Sequence, residues 1–168
     1  MKTTIIISLI LCMIEFVAIV LISPLAKPAF ILRFLPEDVK EKAAGHPEPP
    51  RFKQMIAYLI LVLFIISFLA GFIFLGIDGL KNGYGYWKLV GRFVLSLYTI
   101  KIFDIVVQDQ WLVMTLGYYK KIFPETADCE GWKNRKWNNK NQLTRLIAYP
   151  FLCMISAGIF VLLQSHSI

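Results

Sequence analysis

Three long apolar runs constrain this chain more than any other feature of its sequence. They extend from Thr4 to Ile22, from Met55 to Ile77 and from Leu146 to Leu163, and Glu15 is their one charged residue. A hydrocarbon core about 30 Å thick is crossed by roughly 20 helical residues, so each run is long enough to span a bilayer. The chain is 57% hydrophobic and 17% charged, whereas globular domains are about 25% charged. The runs therefore predict transmembrane helices.

A fourth run, residues 87–119, is apolar overall but carries five charged side chains. It could span the bilayer or lie on its surface as an amphipathic helix. Loop charge decides between these: thirteen of the eighteen Lys and Arg residues lie in or directly beside two segments, residues 24–54 and 118–144. The positive-inside rule requires both basic segments to lie on the same side of the membrane. They do so only if the fourth run spans the bilayer. We therefore expect four spanning helices.

The predicted fold is all-α, a four-helix transmembrane bundle that forms one integral membrane domain over residues 1–168. The two basic loops, residues 24–54 and 118–144, are expected in the cytoplasm and both termini outside it, in the cell membrane. The expected transmembrane helices cover about residues 4–22, 55–77, 88–117 and 145–163.

The first loop contains the segment LPEDVKEKAAG, residues 35–45. Pro36 suits the first helical position, Glu37 and Asp38 favour the positive start of a helix, and Gly45 suits a helix end. The segment predicts a short helix that lies along the membrane.

The N-terminal run is expected to be a retained helix rather than a cleaved signal peptide. Signal peptides have an apolar stretch of about 7–15 residues. The run from Thr4 to Ile22 is longer, and Glu15 interrupts it.

Charged side chains within the fourth run form the main candidate site. Lys101, Asp104, Gln108, Trp111 and Thr115 follow each other at spacings of three or four residues, which places them on one face of an α-helix. Because charges in lipid are costly, this polar stripe must face other helices or water. The candidate intramembrane polar network is Glu15, Tyr98, Lys101, Asp104, Gln108 and Asp109.

Glu15 is the expected partner of Lys101, because both fall near the centres of runs that enter from the same side. Asp104 lies one turn from the same lysine, and Tyr98 either donates into the stripe or only packs. The carboxylates of the network outnumber its one ammonium group, so protonation, a bound cation or water must offset the surplus.

Two further sets of residues are candidates for contacts at the membrane surfaces. Asp78, within the glycine-rich segment 76–87, and Arg92, after it, form a candidate outer ion pair across this short connection. Trp favours the headgroup region, and basic clusters beside it favour anionic lipids. The candidate headgroup contacts are Trp132, Lys133, Arg135, Lys136 and Trp137.

The sequence predicts no metal site and no cofactor. Cys12, Cys129 and Cys153 are far apart in sequence and form no metal-binding spacing. The expected partners are membrane lipids, with anionic headgroups at the cytoplasmic face, together with a homo-oligomer or a membrane-protein partner. Nucleic acid is not expected, because the basic residues lie between apolar runs.

Three functions remain open at this point; the first is favoured and the third least, because the sequence has no nucleotide motif, metal cluster or catalytic spacing. The first is a non-catalytic structural, assembly or regulatory membrane component, which would have a dry, ion-paired interior. The second is a small proton- or cation-coupled transporter or ion-conducting oligomer that uses intramembrane carboxylates. The third is an intramembrane enzyme acting on a lipid-like substrate, with carboxyl groups as acid and base.

Overall fold

The computed structural model describes residues 1–165, and no strand occurs in that range. The predicted all-α class is thereby confirmed, while residues 166–168 of the predicted domain lie outside the described residues. A π-helical segment, Asp104–Thr115, directly follows the α-helix Tyr86–Phe103, and 3₁₀ turns lie at Pro124–Thr126 and Glu130–Lys133. The α-helices are α1 (Lys2–Ile22), α2 (Pro28–Leu32), α3 (Glu37–Lys42), α4 (Arg51–Lys81), α5 (Tyr86–Phe103), α6 (Tyr118–Ile122) and α7 (Asn139–Ser165).

Three helices of the described chain, α1, α4 and α7, are long and apolar enough to cross a membrane. In the most apolar stretch of 18 residues in α4, and likewise in α7, only 11% of the residues are buried inside the protein. Most of their apolar side chains therefore point outward, which fits a membrane location because lipid can cover them. The fifth helix carries Lys88, Arg92 and Lys101, so a fourth crossing stays a prediction at this point.

The long helices pack through α5, which contacts α1 on one side and α7 on the other, while α4 packs mainly on α1. Small residues allow close approach, as is common between apolar helices. Ser8 of α1 donates to Ser96 of α5 at 2.8 Å. A Cβ added at Gly76 of α4 would overlap the ring of Phe160, so this glycine lets α4 approach α7.

The turn between α4 and α5 marks one end of the molecule. Gly83 has φ +69°, a conformation that L side chains rarely adopt. The N-terminal ammonium group lies 3.4 Å from the Tyr84 hydroxyl, and Tyr86 donates to the carbonyl of Met154 at 3.3 Å. The start of α1 and the C-terminal half of α7 therefore lie at the same end as this turn.

The two basic loops meet at the other end. The backbone N–H of Gly131 donates to Asp38 at 2.7 Å, and His46 lies 2.8 Å from Glu125. Lys42 pairs with Asp128, and this hydrogen bond lowers the pKa of the Asp128 carboxyl. The buried side chains between the loops are Val39, Ala43, Phe123, Thr126 and Trp132.

The short helix expected in residues 35–45 is α3, Glu37–Lys42, with Pro36 directly before its first residue. Gly45 lies beyond the helix, which already ends at Lys42. One face of α3 packs against the second loop through Val39 and Ala43. The loops thus form a compact helical cap over one end of the long helices, and we call residues 24–50 and 117–138 the cap.

A substitution at Gly131 tests the contact between the loops. A Cβ at this position would overlap Asp38 and Pro36, so Gly131→Ala should separate the loops and cost about 1–3 kcal/mol through overpacking. Gly45→Ala is the matched control, because a Cβ there meets nothing within 4 Å. Thermal unfolding in mild detergent measures both variants, and equal stability of the two would contradict the packing described here.

Candidate functional site

The polar part of the fourth run is a π-helix, and this changes which side chains share a face. The N–H of Leu116 donates to the carbonyl of Trp111 at 2.8 Å, five residues earlier. π-Helices are usually single turns and are frequent at functional sites, whereas this one covers 12 residues. Its buried residues are Gln108, Leu112 and Val113. The last two follow Gln108 by four and five residues, whereas residues on one face of an α-helix follow each other by three and four.

The structure brings the first part of the predicted stripe to one cavity and leaves its second part outside that cavity. Gln108 is only 3% exposed, and Asp104 and Asp109 line the same cavity. Trp111 and Thr115, expected in the stripe, are exposed. The reason is the wider π turn, which moves Asp109 toward the inward face and turns Trp111 away from it.

A cavity of about 630 Å³ lies beside this segment. Its volume is within the range of small-molecule sites, about 300–1,000 Å³. Side chains of α1, the π-helical segment, the start of α7 and the cap line it together with α4. The wall from α4 is apolar and consists of Leu61, Phe64, Ile65, Phe68 and Leu69.

The charged groups of the cavity are arranged differently from the expected pairing. Lys101 pairs with Asp104, and its side chain is only 4% exposed. Among the described residues no ion pair joins Lys101 to Glu15, the partner expected from sequence. Lys101 pairs with Asp104 rather than with Glu15 because Asp104 lies three residues after it along the same continuous helix, whereas Glu15 must reach across from α1.

Asp109 is held by two amides that the sequence did not single out. Asn138 donates to its Oδ2 at 3.1 Å, and Gln142 donates to the same oxygen at 2.6 Å. Both amides come from the polar run NNKNQ, residues 138–142, where the cap joins α7. The run resembles any polar loop, so only the fold shows that two of its amides meet a carboxylate.

Three buried polar atoms of the cavity lining have no hydrogen-bond partner among the described residues: Oε2 of Glu15, Nε2 of Gln108 and Oε1 of Gln142. Gln108 and Gln142 are only 3% and 5% exposed. The amide of Gln108 approaches the carboxyl of Glu15 without completing a bond to Oε2. Buried polar groups are nearly always paired, so these three atoms are polar groups of the cavity lining that the packing of the chain leaves unsatisfied.

Two guanidinium groups line the end of the cavity nearest the cap. Arg33 of the first loop and Arg145 of α7 both line it, together with Trp137. Arg145 is exposed, so this end is also the more accessible to solvent. The Asp109 carboxyl, which accepts from Asn138 of the cap, lies at this end as well, so carboxyl and guanidinium groups occur together there.

The expected headgroup contacts have different surroundings from one another. Trp132 departs from the expectation: it is 4% exposed and its Nε1 donates to the carbonyl of Thr126 at 2.7 Å. A buried indole inside the cap cannot reach headgroups. Lys133, Arg135 and Lys136 are exposed, and Lys133 pairs with Glu130. Trp137 lines the cavity.

Arg92 lies far from this cavity, at the end near the Gly83 turn. Its Nη2 is 2.5 Å from Asp78 Oδ2, and its Nε donates to Thr4 Oγ1 at 2.9 Å. The guanidinium carbon also lies 5.5 Å from the centre of the Tyr84 ring. The side chain is 1% exposed, so these contacts connect α1, α4 and α5 at that end.

Tyr98 does not join the polar network of the cavity. Its hydroxyl donates to the carbonyl of Leu146 in α7 at 2.8 Å. Leu146 precedes Pro150 by four residues, and proline has no N–H to donate to that carbonyl. Tyr98 therefore replaces the helix hydrogen bond that Pro150 removes.

Within the described residues no group of three or more His, Cys, Asp and Glu side chains is arranged to hold a metal ion. Cys12, Cys129 and Cys153 are free thiols. Comparison with protein-family models finds no match, and comparisons with curated proteins and with solved structures find none either. The functional argument therefore depends on the geometry of the cavity.

A double-mutant cycle tests the role of Tyr98. Tyr98→Phe should cost about 1–3 kcal/mol, because it leaves the partly buried carbonyl of Leu146 without a partner. In a Pro150→Ala background the cost should nearly vanish, since the N–H of residue 150 then supplies the bond. The measurement is the free energy of unfolding in mixed micelles.

Tyr86→Phe is the control for this cycle. Its hydroxyl also donates to an α7 carbonyl, that of Met154, but residue 158, four positions on, is a glycine with an N–H. Its cost should be the same with and without Pro150. Equal coupling to Pro150 for both tyrosines would contradict the role assigned to Tyr98.

Proposed function

We propose that this chain is a multi-pass membrane protein with four spanning helices, and that it binds an amphipathic, lipid-like molecule in its cavity. One observation carries the proposal: the cavity of about 630 Å³ joins an apolar wall to buried charged and amide groups. A purely structural packing network would leave its polar atoms paired and little space between them.

The contact between the two loops supports four crossings. Asp38 bonds Gly131 and His46 meets Glu125, so residues 24–54 and 118–144 lie on the same side of the membrane. The chain between them must then cross an even number of times. Helix α4 supplies one crossing, and α5 with the π-helical segment, 18 and 12 residues long, supplies the second, since roughly 20 residues suffice.

The orientation follows from the charge of the loops. Both are rich in Lys and Arg, so the positive-inside rule places the cap in the cytoplasm and both termini outside. Phe34 and Phe52 of the first loop region are 54% and 72% exposed. These exposed aromatic side chains beside basic residues, one between α2 and α3 and one in the first turn of α4, support a position of the first loop at the cytoplasmic surface of the membrane.

The route into the cavity favours a ligand that comes from the bilayer. Ile65 and Leu69 of α4 line the cavity, yet they are 47% and 57% exposed. The apolar wall is thus continuous with the outer, lipid-facing surface of α4. An acyl chain can occupy this wall while the polar part of the molecule reaches the amide and carboxyl groups.

A binding role is compatible with a non-catalytic, regulatory or assembly component. A second candidate is proton- or cation-coupled transport, which one observation favours: three carboxyl groups, those of Glu15, Asp104 and Asp109, line the same cavity, although Lys101, Arg33 and Arg145 line it too. An intramembrane enzyme would use the same cavity, but we assign no reactive groups and do not propose it.

The test is to obstruct the apolar wall. Ile65→Trp places a large ring at the cavity, whereas Ile66→Trp makes the same change at an adjacent exposed residue of α4. Each protein is purified in mild detergent, and co-purifying lipid is measured by native mass spectrometry. We expect Ile65→Trp to lower retained lipid about tenfold, which corresponds to ~1.4 kcal/mol of binding free energy.

The control variant should retain lipid as the unmodified chain does. Equal amounts of lipid on both variants, with both folded by circular dichroism, would show that the lipid binds elsewhere. That result would overturn the proposed binding function.

A further inference from the structure

We infer that the outer surface of the protein binds anionic phospholipids where α4 and α7 leave the cap, through Arg51, Lys53 and Lys140. We call these three side chains the rim. The inference concerns the outside of the helices, so it does not depend on a ligand in the cavity.

A stripe of exposed apolar side chains begins beside the rim on each of the two helices. The stripe of α4 consists of Met55, Leu59, Val62 and Ile66, and that of α7 of Leu143, Ile147, Phe151 and Ile155. All eight side chains are 50–68% exposed, and spacings of three and four residues place each set on one helix face. Apolar faces of this length require a cover, which acyl chains provide in a membrane.

The rim continues these stripes toward the cap. Arg51 lies four residues before Met55, and Lys140 lies three residues before Leu143, so each shares the face of its stripe. Phe52, between Arg51 and Lys53, is 72% exposed. Because Arg and Lys lay their apolar stems along such surfaces and extend their charged ends to the headgroups, the rim lies where the acyl chains of a lipid end.

The positive charge of the rim has no partner within residues 1–165. All three side chains are exposed, and none of them forms an ion pair there. The first turns of α4 and α7 contain no acidic residue. In the cap, by contrast, four lysines are each paired with a carboxylate: Lys27, Lys40, Lys42 and Lys133. The rim therefore keeps its charge for an external partner.

An anionic phospholipid complements both parts of this surface. Its phosphate oxygens accept from guanidinium and ammonium groups, while its acyl chains cover the apolar stripe that begins at the same point. An acidic protein segment could pair with the cations but would leave the stripes uncovered. Phosphatidylcholine has the same phosphate and chains, but its own ammonium group offsets the charge, so basic side chains attract it less than an anionic lipid.

The rim differs from the basic residues that the sequence favours for headgroup contacts. Lys133, Arg135 and Lys136 are exposed as well. Among the described residues 117–142, however, no large apolar side chain is exposed. These three cations therefore lack the adjoining apolar surface that a bound lipid needs, and we assign the anionic lipid to the rim instead.

The test compares two triple variants that change the net charge equally. The rim variant combines Arg51→Gln, Lys53→Gln and Lys140→Gln, and the loop variant combines Lys133→Gln, Arg135→Gln and Lys136→Gln. Each full chain is equilibrated in mild detergent with equal amounts of phosphatidylglycerol and phosphatidylcholine that have identical acyl chains. Native mass spectrometry then measures the ratio of the two lipids bound.

We expect the unmodified chain to prefer phosphatidylglycerol, and this preference to fall about tenfold in the rim variant, which corresponds to ~1.4 kcal/mol. The loop variant should keep the preference. All chains carry Ile65→Trp, so that lipid in the cavity contributes little, and circular dichroism verifies that they are folded. The result is therefore informative whether or not the cavity binds lipid, and failure of the proposed function is observed separately.

A further variant, Arg51→Lys with Lys140→Arg, keeps both charges and should keep the preference. Its loss there would show that charge is not what attracts the lipid and would overturn the inference. An equal fall in the rim and loop variants would do the same, because it would assign the attraction to net charge alone. No preference in the unmodified chain would also overturn it and would leave the rim to an acidic protein partner.

Discussion

The cost of placing charged groups within an apolar surrounding is the constraint on which the rest of this structure depends. Lys101 is almost fully buried, and it is tolerated because Asp104 pairs with it. Asp109 is tolerated because Asn138 and Gln142 donate to it. Glu15 lacks a complete set of partners in the described chain, and the cavity lies directly beside it. Three buried polar atoms that packing does not satisfy, those of Glu15, Gln108 and Gln142, thus belong to residues that line this cavity.

Backbone hydrogen bonding departs from the regular α-helical pattern at two places in the long helices. The π-helical segment brings Asp109 to the same cavity as Asp104 and Gln108, whereas in an α-helix only the latter two would share a face. Pro150 interrupts the bonding of α7, and Tyr98 from α5 supplies the missing donor to Leu146. Both features join α5 to its neighbours by polar contacts, which matter most where lipid offers no hydrogen bonds.

Composition was enough to predict the helical class and the membrane-compatible helices, because apolar runs of this length have few other structures. The exposed residues Trp111 and Thr115 were misplaced, since the sequence shows no signal for a change from α- to π-helical periodicity. Trp132 was expected at the membrane surface, but composition cannot separate a surface tryptophan from one covered by another loop. Asn138 and Gln142 were missed because their role depends on a carboxylate about 30 residues away in sequence.

Thiol accessibility at position 104 tests most directly whether the polar segment lines a solvated cavity. Cys12, Cys129 and Cys153 are replaced by Ala, Asp104→Cys is installed, and intact membranes are treated with a water-soluble maleimide. Ile102→Cys is the matched control, because Ile102 is 57% exposed on the outer, apolar surface two residues away. Labelling at 104 without labelling at 102 is the predicted result. A folded protein that remains unlabelled at both positions would contradict it and would make the segment a dry packing network.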